Sequence, residues 1–159
     1  MLKAVIFDFD LTLFDSTLLK SYMDNRQWSL VYKNIPKCSF YPYALDTITA
    51  LRKNNIKVAI VSNSPSTYVS KVLEYYAVTV DYVVCYHDVN KHKPNPEGVY
   101  KVLNHFSIAR DEILYIGDNN VDYNTCHNAN IKFLGVSWGI FSTDVKKIDY
   151  QKAISSQLL

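Results

Sequence analysis

Glycine, proline and cysteine are all scarce here, with four, five and three residues in a chain of 159. So few glycines and prolines argue against linkers and low-complexity tracts, and residues 1–159 read as one folded domain. Cys38, Cys85 and Cys126 are odd in number and have no CxxC spacing. That excludes a disulfide framework and a zinc ribbon, and predicts three reduced, mostly buried thiols. No apolar run approaches the ~18 residues of a membrane span, and the short apolar stretch at the start ends in two aspartates, unlike a secretory signal. A cytoplasmic location, with no membrane partner, is the default expectation. Charge of one sign is also lacking: the formal net charge is +2, and Lys and Arg form no basic run. No nucleic-acid footprint is expected.

What is present is alternation. Apolar segments of strand length, rich in Val, Ile, Phe and Tyr, recur at 4–9, 56–61, 82–86, 113–116 and 131–136. Between them lie helically spaced sets: Leu45, Ile48 and Leu51; Val69, Val72, Leu73 and Tyr76; Val99, Val102, Leu103 and Phe106. Near-continuous apolar strands alternating with amphipathic helices predict an α/β domain. The expected architecture is a doubly wound, Rossmann-like parallel sheet of about five strands, with helices on both faces. Residues 13–44 are the exception. They exceed a simple crossover, collect Tyr22, Trp28, Tyr32, Phe40, Tyr41 and Tyr43, and are expected to form a small insert after strand one. Ser16 or Thr17 is expected to cap a short helix there, with Pro36 and Pro42 breaking the chain beyond it.

In an open parallel sheet, ligands bind beyond the carboxyl ends of the strands. The polar residues at those ends are Asp8, Asp10 and Thr12 after strand one, Ser62, Asn63 and Ser64 after strand two, and Gly117, Asp118 and Asp122 after strand four. The loop after strand three carries Lys91, His92 and Lys93, and Pro96 is placed to open a helix. Period-two alternation is expected to turn Asp8 and Asp10 into one pocket. Asp118 and Asp122, four apart at a strand-to-helix junction, face one way as well. Oxygen donors without His or Cys at ligand spacing suit a hard cation such as Mg²⁺. Acids converging on a metal, with one hydroxyl and one lysine to hold an anion, are what phosphoryl transfer requires. His87 and His92 lack the Cys or carboxylate partners of a zinc site, and their contact with substrate is left open.

At these residues the sequence resembles the haloacid dehalogenase (HAD) superfamily. Its four motifs appear in order as Asp8/Asp10/Thr12, Ser62, Lys93 and Gly117/Asp118/Asp122, and the likeness runs from Val5 to about Gly139. Asp15-Ser16, Tyr41-Pro42 and the run from Lys93 to Glu97 also look like this family. The resemblance implies a Mg²⁺-dependent phosphoric monoester hydrolase in which Asp8 attacks phosphorus and becomes an aspartyl-phosphate. It implies that Asp10 is the acid and base, that Ser62, Asn63 and Lys93 hold the phosphoryl group, and that Thr12 and Gly117 are structural. It places Mg²⁺ on Asp8, the Asp10 backbone carbonyl, Asp118 and Asp122.

The second aspartate points to phosphate esters, because relatives that cleave carbon–halogen bonds look different there and transport ATPases carry Thr. Many relatives hold a helical cap between the first two motifs, whereas residues 13–44 leave room for a minimal one. An open site, accepting a phosphorylated small molecule or macromolecule, is therefore expected. Lys20, Arg26, Lys33 and Lys37, with the aromatics, could attract such an anion, or the aromatics could simply pack the insert onto the sheet. A phosphomutase would need a larger cap, and a non-catalytic phosphate- or metal-binding module would have no need of an intact first motif. The substrate and the oligomeric state are left open by the sequence.

Overall fold

In β1 (Ala4–Phe7) every residue is buried, and alternate side chains feed two separate cores. Val5 and Phe7 point to one face of the sheet, Ala4 and Ile6 to the other. A strand buried on both faces has to be covered by helices on both sides. The computed structural model describes residues 1–155. Its elements in chain order are β1, β2 (Phe14–Asp15), α1 (Lys20–Asp24), α2 (Trp28–Asn34), β3 (Ser39–Phe40), α3 (Ala44–Lys53), β4 (Lys57–Val61), α4 (Ser66–Tyr75) and β5 (Tyr82–Val84). Beyond β5 come α5 (Glu97–Phe106), β6 (Ile113–Asn119), α6 (Asn120–Ala129), β7 (Lys132–Ile140), β8 (Lys147–Ile148) and α7 (Tyr150–Ser155).

Six strands form the main sheet in the order β5-β4-β1-β6-β7-β8, every pair parallel. Leu51, Val69, Val72 and Tyr150 cover one face, and Val99, Val102, Cys126 and Ala129 cover the other. The doubly wound α/β expectation holds, with β8 as an additional edge strand too short to leave a periodic signal. All three cysteines are free and buried, as expected. Among the described residues no helix is long and apolar enough to cross a membrane.

Three expectations need correction. Strand one ends at Phe7, so Asp8 and Asp10 share a pocket through the loop after it, where Leu11 takes a left-handed φ of 62°, and not through strand alternation. Strand four continues to Asn119, because β7 pairs with it as far as Asn119↔Ile140 after a register shift. Neither Ser16 nor Thr17 caps through its side chain: Ser16 precedes a 3₁₀ turn without a capping bond. Instead the Asp15 carboxylate accepts from the Thr17 hydroxyl at 2.6 Å and from its backbone N–H at 3.2 Å.

In the insert, β2 pairs antiparallel with β3, bringing Phe14 opposite Phe40. Phe40 meets Phe9 and Tyr76 edge-on, Trp28 leans on Tyr68, and Tyr41 stacks on Trp138 at 4.2 Å. These contacts fasten the insert to α4, to β7 and to the loop after β1, and Lys20 is paired with Asp24 on its surface.

Candidate active site

β1 lies between β4 and β6, and the chain moves outward from it in both directions. The carboxyl ends of these three strands therefore meet at the point where a doubly wound sheet opens a crevice. Asp8 follows β1, Ser62 follows β4, and Asp118 is the penultimate residue of β6, with Asp122 in the first turn of α6. Together with Asp10, Asn63, Ser64 and Lys93 they line an open cleft of about 300 Å³. No residue of 13–44 lines it.

At its floor, Lys93 Nζ donates to Asp8 Oδ1 at 2.8 Å, to Asp122 Oδ1 at 2.7 Å and to the Tyr115 hydroxyl at 3.1 Å. The Thr12 hydroxyl bonds Asp118 Oδ1 at 2.9 Å and lies 3.3 Å from Asp8 Oδ2, so it orients both carboxylates. Asp122 Oδ2 accepts from the Asp118 backbone N–H at 3.1 Å. Asn119 caps α6, its side chain accepting from Val121 and Asp122 N–H.

Ligand oxygens of Asp8, Asp118 and Asp122 all lie within 4.8 Å of one another. Three carboxylates against one ammonium leave two negative charges uncompensated when all are ionised. Burial pushes the Asp8 carboxyl up to about 7; Lys93 opposes the rise, and Asp118 adds to it by repulsion and by sharing a hydrogen bond. Asp118 and Asp122 are raised as well, again chiefly by burial. Burial works against the Lys93 ammonium, but Asp122 and Asp8 outweigh it and hold the group well above the ordinary lysine value. Acids this close demand either a shared proton or a further cation. All-oxygen donors with no His or Cys fit a hard divalent ion, so the donor set suits Mg²⁺.

The remaining groups are arranged around this floor. Ser62 Oγ accepts from Ser64 N–H at 3.0 Å, which leaves its own proton for a ligand in the cleft. The Asn63 side chain turns to the Lys93 backbone, accepting from its N–H at 3.1 Å and donating to its carbonyl at 3.2 Å. Asp10 lies across the cleft, bonded by Ser64 and Tyr68. Gly117 has to be glycine, because a Cβ there would stand 2.5 Å from Asp122 Cβ. His87 and His92 are outside the floor: His87 is exposed, and the half-buried His92 stacks on Tyr86 at 3.8 Å.

Ser64, Tyr68 and Tyr115 were not singled out from the sequence as site residues. Tyr68 and Tyr115 were hidden in apolar helix and strand patterns. Ser64 stood in view beside Ser62, with no spacing signal to set it apart. Trp138 Nε1 and the Tyr150 hydroxyl, which hold the carbonyls of Leu11 and Thr12 at 2.7 Å each, come from far along the chain and left no local trace.

The sequence profile of haloacid dehalogenase-like hydrolases matches residues 18–136. The chain belongs to this family. Like this chain, a HAD-superfamily hydrolase of subfamily IA, variant 1, from Geobacter sulfurreducens has the fold, with a TM-score of 0.80 and 20% identity over 98% of this chain and 99% of that one. CbbY from Rhodobacter sphaeroides, solved in complex with phosphate, superposes with a TM-score of 0.78 at 12% identity, covering 94% of both chains. Among curated relatives, the pyrophosphatase PpaX of Oceanobacillus iheyensis is 28% identical over 109 residues, covering 67% of this chain and 51% of that protein. The phosphoglycolate phosphatase of Escherichia coli K12 is 28% identical over 105 residues, covering 62% of this chain and 40% of that protein. The chain thus spans about half or less of the length of these curated relatives.

Proposed function

We propose that this HAD-family chain is a Mg²⁺-dependent phosphatase that hydrolyses phosphate monoesters through an aspartyl-phosphate on Asp8. The observation that carries the reading is the position of the Asp8 carboxylate: at the end of the central strand, facing an open cleft, one oxygen on Lys93 and the other beside Thr12. Relatives named as phosphatases and a pyrophosphatase support the reaction class.

Asp8, Asp118 and Asp122, with the Asp10 backbone carbonyl, would hold Mg²⁺. When bound, the ion supplies the positive charge that lets an anionic phosphate approach an anionic nucleophile. Asp8 attacks phosphorus, and Asp10 protonates the departing alcohol. Asp10 then takes a proton from the water that cleaves the acyl-phosphate. Ser62 Oγ donates to a phosphoryl oxygen, joined by backbone N–H groups of the turn at Asn63. Lys93 neutralises charge on Asp8 and the phosphoryl group throughout. Because the insert at 13–44 lies outside the cleft, it restricts access little, and the reading extends to small or surface-borne phosphate esters.

Phosphate release from a panel of monoesters with Mg²⁺, including 2-phosphoglycolate, tests this, with pyrophosphate run alongside. Turnover is expected to stop in EDTA and to fall by at least ~10³ in Asp8→Asn, whose amide cannot form the acyl-phosphate. Persistent turnover in pure Asp8→Asn protein would overturn the mechanism.

A further inference from the structure

Asp10 is held quite differently from Asp8, Asp118 and Asp122. The Lys93 ammonium serves Asp8 and Asp122, so Asp10 depends on hydroxyl groups for its position. Its Oδ2 accepts from Ser64 Oγ at 2.5 Å, and its Oδ1 accepts from the Tyr68 hydroxyl at 2.8 Å. Ser64 sits in the turn after β4 and Tyr68 in the first turn of α4, so one segment supplies both donors.

The two donors have different freedom. Tyr68 has no exposed surface; its ring meets Phe9 edge-on at 5.9 Å and lies beside Trp28. Burial, followed by the charge of Asp10, pushes its phenol far above the ordinary range, so it stays a donor. The Ser64 hydroxyl is only half-buried and can rotate from donor to acceptor when Asp10 takes up a proton. Bonds to both oxygens fix the plane of the Asp10 carboxyl as well as its position, the kind of pre-organisation on which proton transfer to a leaving group depends.

We propose that Tyr68 and Ser64 are positioning residues that hold the Asp10 carboxyl for protonation of an alkoxide leaving group, equipping the site for alkyl phosphate esters. The inference rests on the phosphatase reading. In the step concerned, an Asp8 oxygen bonds to phosphorus and the ester P–O bond breaks. Its electron pair goes to the alkyl oxygen, which takes the proton from Asp10, giving a free alcohol, an aspartyl-phosphate and an Asp10 carboxylate. A nitrophenolate departs without that proton, so losing the clamp should penalise alkyl esters selectively.

The test compares kcat/KM for an alkyl ester, glycerol phosphate or 2-phosphoglycolate, whichever wild type turns over faster, with that for p-nitrophenyl phosphate. This parameter covers steps up to departure of the leaving group and omits later hydrolysis of the aspartyl-phosphate. Tyr68→Phe keeps the ring packing and removes the hydroxyl. It is expected to lose ~10- to 100-fold on the alkyl ester and no more than ~3-fold on the aryl ester. Ser64→Ala should shift the ratio the same way, and Ser64→Thr should restore it. Equal losses on both esters in both variants, or a gain on the alkyl ester, would overturn the proposal while leaving the phosphatase reading intact. If Tyr68→Phe fails to fold, by circular dichroism and thermal midpoint, the Ser64 pair decides on the same criterion. A wild-type protein that releases phosphate from no monoester of the panel defeats both readings.

Discussion

At the scale of single residues, the site depends on an atom that is missing. Gly117 lies against Asp122, where an added Cβ would come within 2.6 Å of the carboxylate oxygen that receives the Asp118 N–H. Gly117→Ala therefore has to move Asp122, and with it the 2.7 Å contact to Lys93. The expected result is a loss of stability of about 1–3 kcal/mol from overpacking. A fall in kcat of ~10²-fold is also expected, the scale of a displacement near 1 Å in a catalytic site. Urea denaturation and phosphate-release kinetics on the same protein measure both, and a variant with wild-type kcat would contradict this close packing of Gly117 on Asp122. Sequence motifs pointed to Gly117, Asp118, Asp122 and Lys93 because their spacing is local or follows strand ends. Tyr115 was passed over for a physical reason: a tyrosine in a buried strand looks like any other large apolar residue until its hydroxyl is seen 3.1 Å from Lys93.

At the scale of elements, the side chains of the candidate site are delivered by loops and element ends that are themselves tied down. Lys93 reaches the floor from a long loop whose backbone is bound by Asn63, while Glu97 accepts from Asn90 and Lys91 N–H at 2.9 Å each and Asn128 donates to the Pro94 carbonyl at 3.0 Å. Asp122 is delivered by the first turn of α6, whose N–H groups Asn119 caps. Asn119→Ala should cost about 1 kcal/mol, equivalent to roughly 2–4 °C in thermal midpoint for a domain of this size. Because Asp122 sits in the turn that frays, kcat should fall in the same variant. A thermal scan showing an unchanged midpoint would argue that other contacts hold this turn. The helices α3, α4 and α5 were legible from their apolar spacing. β8 and the ends of β1, β6 and β7 were not, because pairing with a neighbouring strand sets where a strand stops.

At the scale of the whole molecule, the buried acidic floor links folding, pH and metal. The Asp8 carboxyl is raised from 3.8 to about 7, so the folded state holds its proton more tightly than the unfolded chain. Its contribution to stability is fully present below 3.8 and is lost as pH rises through about 7. Asp118 and Asp122 are raised too and act in the same direction. Glu97, lowered by the Asn90 and Lys91 N–H bonds, and Glu112, lowered by Lys3, act oppositely but lose their contribution only as pH falls through their depressed values. Between about pH 5 and 8 in EDTA, the thermal midpoint should therefore fall as pH rises. Mg²⁺ should restore more of it at the alkaline end, where the carboxylates are ionised. A flat or rising profile in EDTA would count against the acidic cluster. From sequence alone came the alternating α/β pattern and the polar residues at strand ends, because periodicity and spacing are local properties of the chain. Only the folded chain decided that residues 13–44 pack beside the cleft without lining it, that Tyr68 and Ser64 grip Asp10, and that Trp138 and Tyr150 hold the loop after Asp8. Those contacts join residues up to 138 positions apart, and only tertiary packing brings them together.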